Sequence, residues 1–230
     1  HKSLEIVLAP VSLQLQPISL QIDHRKFKLA AQNAFFQDSG AYTGEISFTQ
    51  LSGLVDYAII GHSERRHIFG ESLIEVTKKV AAAYRNGIVP ILCVGETNTE
   101  KLAGETERVV HDQVVTALAN VTAEDIEKIV IAYEPVWAIG TGNVAKPDQV
   151  ESVARIIRKN ITELYGEATA SKVRILYGGS VNPSVASGFL RAKGIDGLLV
   201  GGASLNYQQF SEIVASAHRN KHGLAVRHEE

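Results

Sequence analysis

Short apolar runs recur along the chain, and each breaks into polar or glycine-rich residues at or just past its carboxyl end. They fall at 5–9 (EIVLA), 27–31 (FKLAA), 57–61 (YAIIG), 89–94 (VPILCV), 129–133 (IVIAY), 174–177 (RILY) and 197–200 (GLLV). Runs this short, rich in Val and Ile and without strict alternation, predict strands buried on both faces. Between them the apolar spacing becomes helical. Leu73, Ile74, Val76, Val80, Ala83 and Tyr84 keep helical period across 71–86, with Gly87 placed to cap the end. A second helical segment covers 100–119. A third opens at Pro147 and carries Val150, Val153, Ile156, Ile157 and Leu164 on one face, and a last covers 206–218 before a polar tail. Shorter helices are expected within 10–22 and from Glu45.

Seven strand-then-helix units predict a parallel sheet. Parallel strands with right-handed crossovers close as an eight-stranded barrel in about 250 residues, with functional groups on the loops at the carboxyl ends. The expectation is an α/β fold, a (β/α)8 barrel forming one domain over 1–230, with its first β/α unit absent from the chain. An open doubly wound sheet is the alternative, but no Gly-x-Gly-x-x-Gly follows the first run.

The strand ends carry the candidate chemistry. In IVIAYEPVWAIGTG (129–142) an apolar strand stops at Glu134, because Pro135 cannot continue a central ladder. The apolar body Val136–Ile139 and the glycine-rich exit Gly140-Thr141-Gly142 then have the makings of a lid. A carboxylate beneath a closing apolar loop loses water and becomes a stronger base, which suits proton abstraction. A glutamate simply ending a strand in solvent is the plain alternative. His62 follows the run 57–61 and precedes Ser63-Glu64, where a helix start favours the neutral ring, able to donate to a carbonyl and shuttle protons. A histidine bonded to backbone is its structural alternative. Glu64, beside Arg65 and Arg66, is expected in a supporting ion-pair network, Glu96 as a helix or loop cap, and Cys93 as a packed thiol. Gly178-Gly179 with Ser180, and Gly201-Gly202, present backbone amides at the last two strand ends, where barrels bind phosphate.

Composition narrows the partners. With a formal net charge of -2 and 45% hydrophobic residues, the 230-residue chain has no electrostatic footprint for nucleic acid or an anionic membrane. No apolar run reaches membrane-spanning length. His62 and His67 lie five apart, which does not place them on one helical face as metal ligands, so no metal site is expected. The lone Cys93 forms no intrachain disulfide and fits a reducing compartment.

Six blocks, AQN…GAYTGE, IIGHSERR, PILCVGET, AYEPVWAIGTG, ILYGGSVN and LLVGGASL, occur in the order in which triosephosphate isomerases carry them, and the chain resembles that family over nearly its whole length. The resemblance implies a TIM barrel and the interconversion of dihydroxyacetone phosphate and D-glyceraldehyde 3-phosphate in glycolysis and gluconeogenesis. It implies Glu134 as the carbon base and His62 as the neutral electrophile, roles that serve as the worked example of environment-tuned catalysis. Gly140, Ser180, Gly201 and Gly202 would hold phosphate. Glu64, Asn33 and Thr43 would support the site, the last two from a loop around Asp38–Glu45 that family members insert into a partner subunit. A cytoplasmic homodimer without metal or organic cofactor is implied. The family's opening strand leads into an Asn-Trp-Lys-Met-like segment that nothing in 1–31 matches.

Overall fold

The computed structural model describes residues 4–139 and 143–226, with backbone alone described from 221 onward. Its centre is a curled sheet of seven parallel strands paired strictly in chain order: β1 (Ile6–Leu8), β2 (Phe27–Ala31), β3 (Tyr57–Ile60), β4 (Val89–Val94), β5 (Val130–Tyr133), β6 (Arg174–Tyr177) and β7 (Gly197–Leu198). β1 and β7 are its two edges. The helices are α1 (Ser12–Ser19), α2 (Phe48–Leu51), α3 (Ser63–His67), α4 (Leu73–Arg85), α5 (Asn98–Leu102), α6 (Thr106–Ala117), α7 (Ala123–Ile126), α8 (Pro147–Tyr165), α9 (Glu167–Ala170), α10 (Pro183–Leu190) and α11 (Tyr207–Val226).

The apolar runs are continuous because the central strands are buried on both faces. Leu29, Ala31, Ala58, Ile60, Leu92, Val94, Ile131, Tyr133, Ile175 and Tyr177 join Val76, Val80, Val110, Val150, Val153 and Ile157 in the layer between sheet and helices. The alternate residues Ala30, Tyr57, Ile59, Ile91, Cys93, Val130 and Ala132 form a second cluster on the concave face, with Val7, Ala9 and Leu176 against it. The pleat's period of two thus assigns every strand position to one layer or the other. This split, more than strand existence, decides what each strand end presents.

Local chemistry explains most boundaries. Ser72 and Glu75 form a capping box that starts α4, and Gly87, at φ +70°, lies beyond its last residues. Pro147 occupies the first position of α8. Some details depart from expectation, among them the short helices α7 and α9, which were not foreseen. The helix foreseen across 100–119 is two, α5 and α6, because Gly104 breaks it at φ +74°. The expected tail after 218 is helical to Val226. α10 went unforeseen because Ser184, Ser187 and Gly188 dilute its apolar pattern, although Ala186 and Phe189 are buried.

Candidate active site

Layer parity aims the glutamate. Val130 and Ala132 face the concave side, so Glu134 continues their face just past the end of β5. It is 2% exposed. Its backbone stays in line because Glu134 N–H donates to Val94 O (2.8 Å) and Gly178 N–H to Tyr133 O (2.8 Å). Room for it comes from two glycines: a Cβ on Gly178 would meet Glu134 Cγ at 3.1 Å, and one on Gly95 would lie 1.7 Å from Glu134 O. Oε2 accepts the Ser63 N–H at 2.9 Å.

His62 reaches the same point by a reversal. Ala58 and Ile60 face the helices, so simple alternation would send His62 outward as well. Gly61, at φ +69°, turns the chain, and His62 Nε2 comes to 2.8 Å from Glu134 Oε1. That contact is close but lacks hydrogen-bond alignment, and Oε1 has no hydrogen-bond partner. His62 also caps α3: its Nδ1 accepts the Glu64 N–H at 3.3 Å. An accepting Nδ1 assigns the proton of the neutral ring to Nε2, the nitrogen facing Glu134. Burial lowers the imidazole pKa, and the neighbouring Glu134 and Glu64 carboxylates outweigh it, leaving the net shift upward.

A second buried carboxylate braces the stem of the loop after β5. Glu96, also 2% exposed, accepts Trp137 Nε1–H at 2.9 Å and Tyr133 Oη–H at 3.1 Å, while its carbonyl accepts Val136 N–H at 3.1 Å. Lys101 Nζ lies over the Trp137 ring, 3.0 Å from its centroid. The cap role expected of Glu96 belongs instead to Thr97 and Glu100, whose capping box starts α5. Burial raises the Glu96 pKa, only partly offset by these donors. Ser180 Oγ–H donates to Ala138 O at 2.6 Å, tying the loop after β6 to the same stem.

The phosphate candidates divide. Gly201 precedes the 3-10 turn Gly202–Leu205, both glycines are exposed, and a Cβ on either would meet nothing within 4 Å. First amides of such a turn lack intrahelical partners. Gly140, with Thr141 and Gly142, lies outside the described residues. A cavity of about 2040 Å³ on the concave side is bordered by His62, Glu134, Ile139, Ser180, Gly201 and Gly202 among others.

The supporting residues are more dispersed. Glu64 lies 3.8 Å from His62 Nδ1, but its side chain is 65% exposed and its expected arginine partners are engaged elsewhere. Arg65 Nε donates to Glu71 (2.6 Å), and Arg66 binds the carbonyls of Gly61 and Cys93. Asn33 Oδ1 accepts Lys79 Nζ at 2.8 Å, within the same buried Glu71–Lys79 cluster. Thr43 stands exposed on the loop, which Asp38 anchors through Arg85 (2.8 Å), Asn86 (3.0 Å) and Thr49 (3.0 Å). Cys93 is fully buried, and burial pushes its thiol pKa well up. Gly95 was not singled out from sequence, Ser63 was read only as part of a helix start beside His62, and Arg66 was expected to pair with Glu64, not with backbone carbonyls. Among the described residues no group of three or more metal-ligating side chains occurs, and no helix is long and apolar enough to cross a membrane.

Such a rim, on a parallel sheet backed by helices, is where barrel enzymes place their functional groups, and a carboxylate facing an imidazole suits proton transfer. Comparison with known proteins makes the class specific. The family model described as triosephosphate isomerase matches residues 1–217. The triosephosphate isomerase of Dictyoglomus turgidum is 48% identical over 217 residues, covering 94% of this chain and 87% of the relative. That of Chloroherpeton thalassium is 48% identical (93% and 85% covered), and that of Lactiplantibacillus plantarum 46% (91% and 84% covered). The chain belongs to the triosephosphate isomerase family.

Proposed function

We propose that the chain is an isomerase (EC 5.3.1.1) interconverting dihydroxyacetone phosphate and D-glyceraldehyde 3-phosphate. The observation that carries the reading is the buried Glu134 carboxylate 2.8 Å from His62 Nε2, both bordering one cavity. Glu134 takes the proton from the hydroxymethyl carbon. The electron pair left behind forms the carbon–carbon double bond, and the carbonyl electrons move onto oxygen. His62 Nε2–H donates to that oxygen and passes protons between the two oxygens of the enediolate. Glu134 then returns its proton to the neighbouring carbon, so no atom is gained or lost. Because Nδ1 accepts the Glu64 N–H, the neutral ring carries its proton on Nε2 and is held in orientation.

Ser180 and the amides of Gly201 and Gly202 hold the phosphate, with Gly140 contributing from the lid. Closure excludes water and protects the enediolate. The loop around Asp38–Glu45 docks into a second copy, where Thr43 completes the neighbour's site, in a cytoplasmic homodimer serving glycolysis and gluconeogenesis. The test is a coupled assay on the purified chain with both triose phosphates. Turnover in both directions, abolished by a phosphate-bearing enediolate mimic, is expected. Binding of that mimic without turnover would overturn the enzymatic reading and leave a phosphate-binding or scaffold barrel.

A further inference from the structure

Parity leaves a question at β3. His62 occupies a position whose predecessors Ala58 and Ile60 face the helices, yet its ring meets Glu134 on the concave side. Gly61 makes the reversal, and one side chain engages that turn from several directions. Arg66 Nε donates to Gly61 O at 2.6 Å, and its Nη2 donates to Cys93 O at 2.8 Å. The last registered pair between β3 and β4 is Ile60 with Leu92, so these two carbonyls lie just beyond the ladder. The guanidinium thus links β4 to the end of β3 where pairing between these two strands has run out. It also fills the space over the turn, since a Cβ on Gly61 would lie 2.9 Å from Arg66 Nη2 and 3.1 Å from Val76 Cγ2.

We infer that Arg66 is a positioning residue for His62: it locks the Gly61 turn that aims Nε2 at the reacting oxygens. It touches no substrate and acts through the backbone. The planar fork suits this task, because its two N–H groups reach two carbonyls in fixed directions, whereas a lysine ammonium offers no such geometry. With the fork gone, the turn relaxes, the Glu64 N–H to Nδ1 contact weakens, and the ring samples the other tautomer. This inference rests on the proposed role of His62, and its test separates the two.

Turnover of the unaltered full chain is measured first, followed by Arg66→Gln, Arg66→Lys and Arg66→Ala. Ring ¹⁵N spectra of His62 are recorded for each. Arg66→Gln is expected to lower kcat by about 100-fold, the usual consequence of a misplaced catalytic group, with KM within about threefold. Its ¹⁵N shifts should move from an Nε2–H pattern to a tautomer mixture. Arg66→Lys should restore folding but not the ¹⁵N pattern, and added guanidinium should return about tenfold of the activity lost in Arg66→Ala, as expected if a preorganised fork is what was removed. A wild-type ¹⁵N pattern in Arg66→Gln, or in Arg66→Lys should Gln not fold, overturns the inference. So do losses that merely follow the folded fraction. Absence of turnover in the unaltered chain would instead defeat the isomerase reading, and the ¹⁵N comparison would still decide the role of Arg66.

Discussion

Polar side chains enter the concave face of this sheet at both ends, and the two ends treat them oppositely. At the amino end, Glu5 and Arg174 share the parity of the concave layer, and Tyr57 belongs to it. They satisfy one another: Tyr57 Oη–H donates to Glu5 Oε1 at 2.7 Å, Arg174 Nη1 to the same oxygen at 2.8 Å, and Arg174 Nη2 to Tyr57 Oη at 3.0 Å. Lys28 pairs with Asp56 nearby at 3.0 Å. At the carboxyl end, Glu134 Oε1 is buried without a hydrogen-bond partner. A buried polar atom left unpaired costs about 1–3 kcal/mol. The floor has resolved its polarity internally, while the rim leaves a carboxylate oxygen unpaired beside the cavity. One sheet therefore separates stability from chemistry along its strand axis.

The sharpest break in that contrast is Glu134→Gln. Removing the base should lower turnover by at least about 1,000-fold, near the upper range for a general base. Chemical denaturation should meanwhile show a stability change within about 1 kcal/mol, because a poorly satisfied buried carboxylate adds little to folding. A large loss of stability would make Glu134 a structural residue. Arg174→Ala should do the reverse. It strands Glu5 and Tyr57, but Arg174 and Glu5 side chains are 43% and 37% exposed. Solvent screening limits the loss to about 1–2 kcal/mol, with kcat per folded molecule unchanged within about twofold. A kcat loss comparable to that of Glu134→Gln would collapse the distinction. Trp137→Phe lies between, for it removes one donor from buried Glu96 in the lid stem. It should cost about 1 kcal/mol and lower kcat by less than the base does, read from parallel melts and rates.

The rim was far more legible in the chain than the floor. Glu134 and His62 stood out because each directly follows an apolar run, and the runs themselves became all seven strands. The lid residues and paired glycines stood out for the same reason, although Gly140 lies outside the described residues. The floor network joins positions 52, 117 and 169 apart in sequence, and nothing local marks Glu5, Tyr57 or Arg174 as mutual partners. Glu96 was misassigned because its neighbours Thr97 and Glu100 supply a strong capping signal, which hid a carboxylate turned toward Trp137. Arg66 was assigned the wrong partner for a related reason. Its charge suggested Glu64 as partner, whereas a folded turn offers it carbonyls.

Acid titration distinguishes the two ends most finely. Burial raises the pKa of both Glu5 and Glu96, yet the outcomes diverge. At Glu5, Arg174 and Tyr57 outweigh burial, so its folded pKa falls below the ordinary carboxylate value. Glu96 has mainly neutral donors, Trp137 and Tyr133, and its pKa stays raised. The linkage signs are therefore opposite. Glu5 contributes stability that is fully present above its unfolded pKa and fades as pH falls through the folded value. Glu96 binds its proton more tightly when folded, so its contribution is present below the unfolded pKa and is lost as pH rises through the folded value. Glu5→Gln should consequently cost more stability at pH 7 than at pH 3.5, and Glu96→Gln less at pH 7 than at pH 3.5. Urea melts of both variants and the parent chain at the two pH values measure this directly. If both deficits change with pH in the same direction, a nearby cation is not what separates floor from rim.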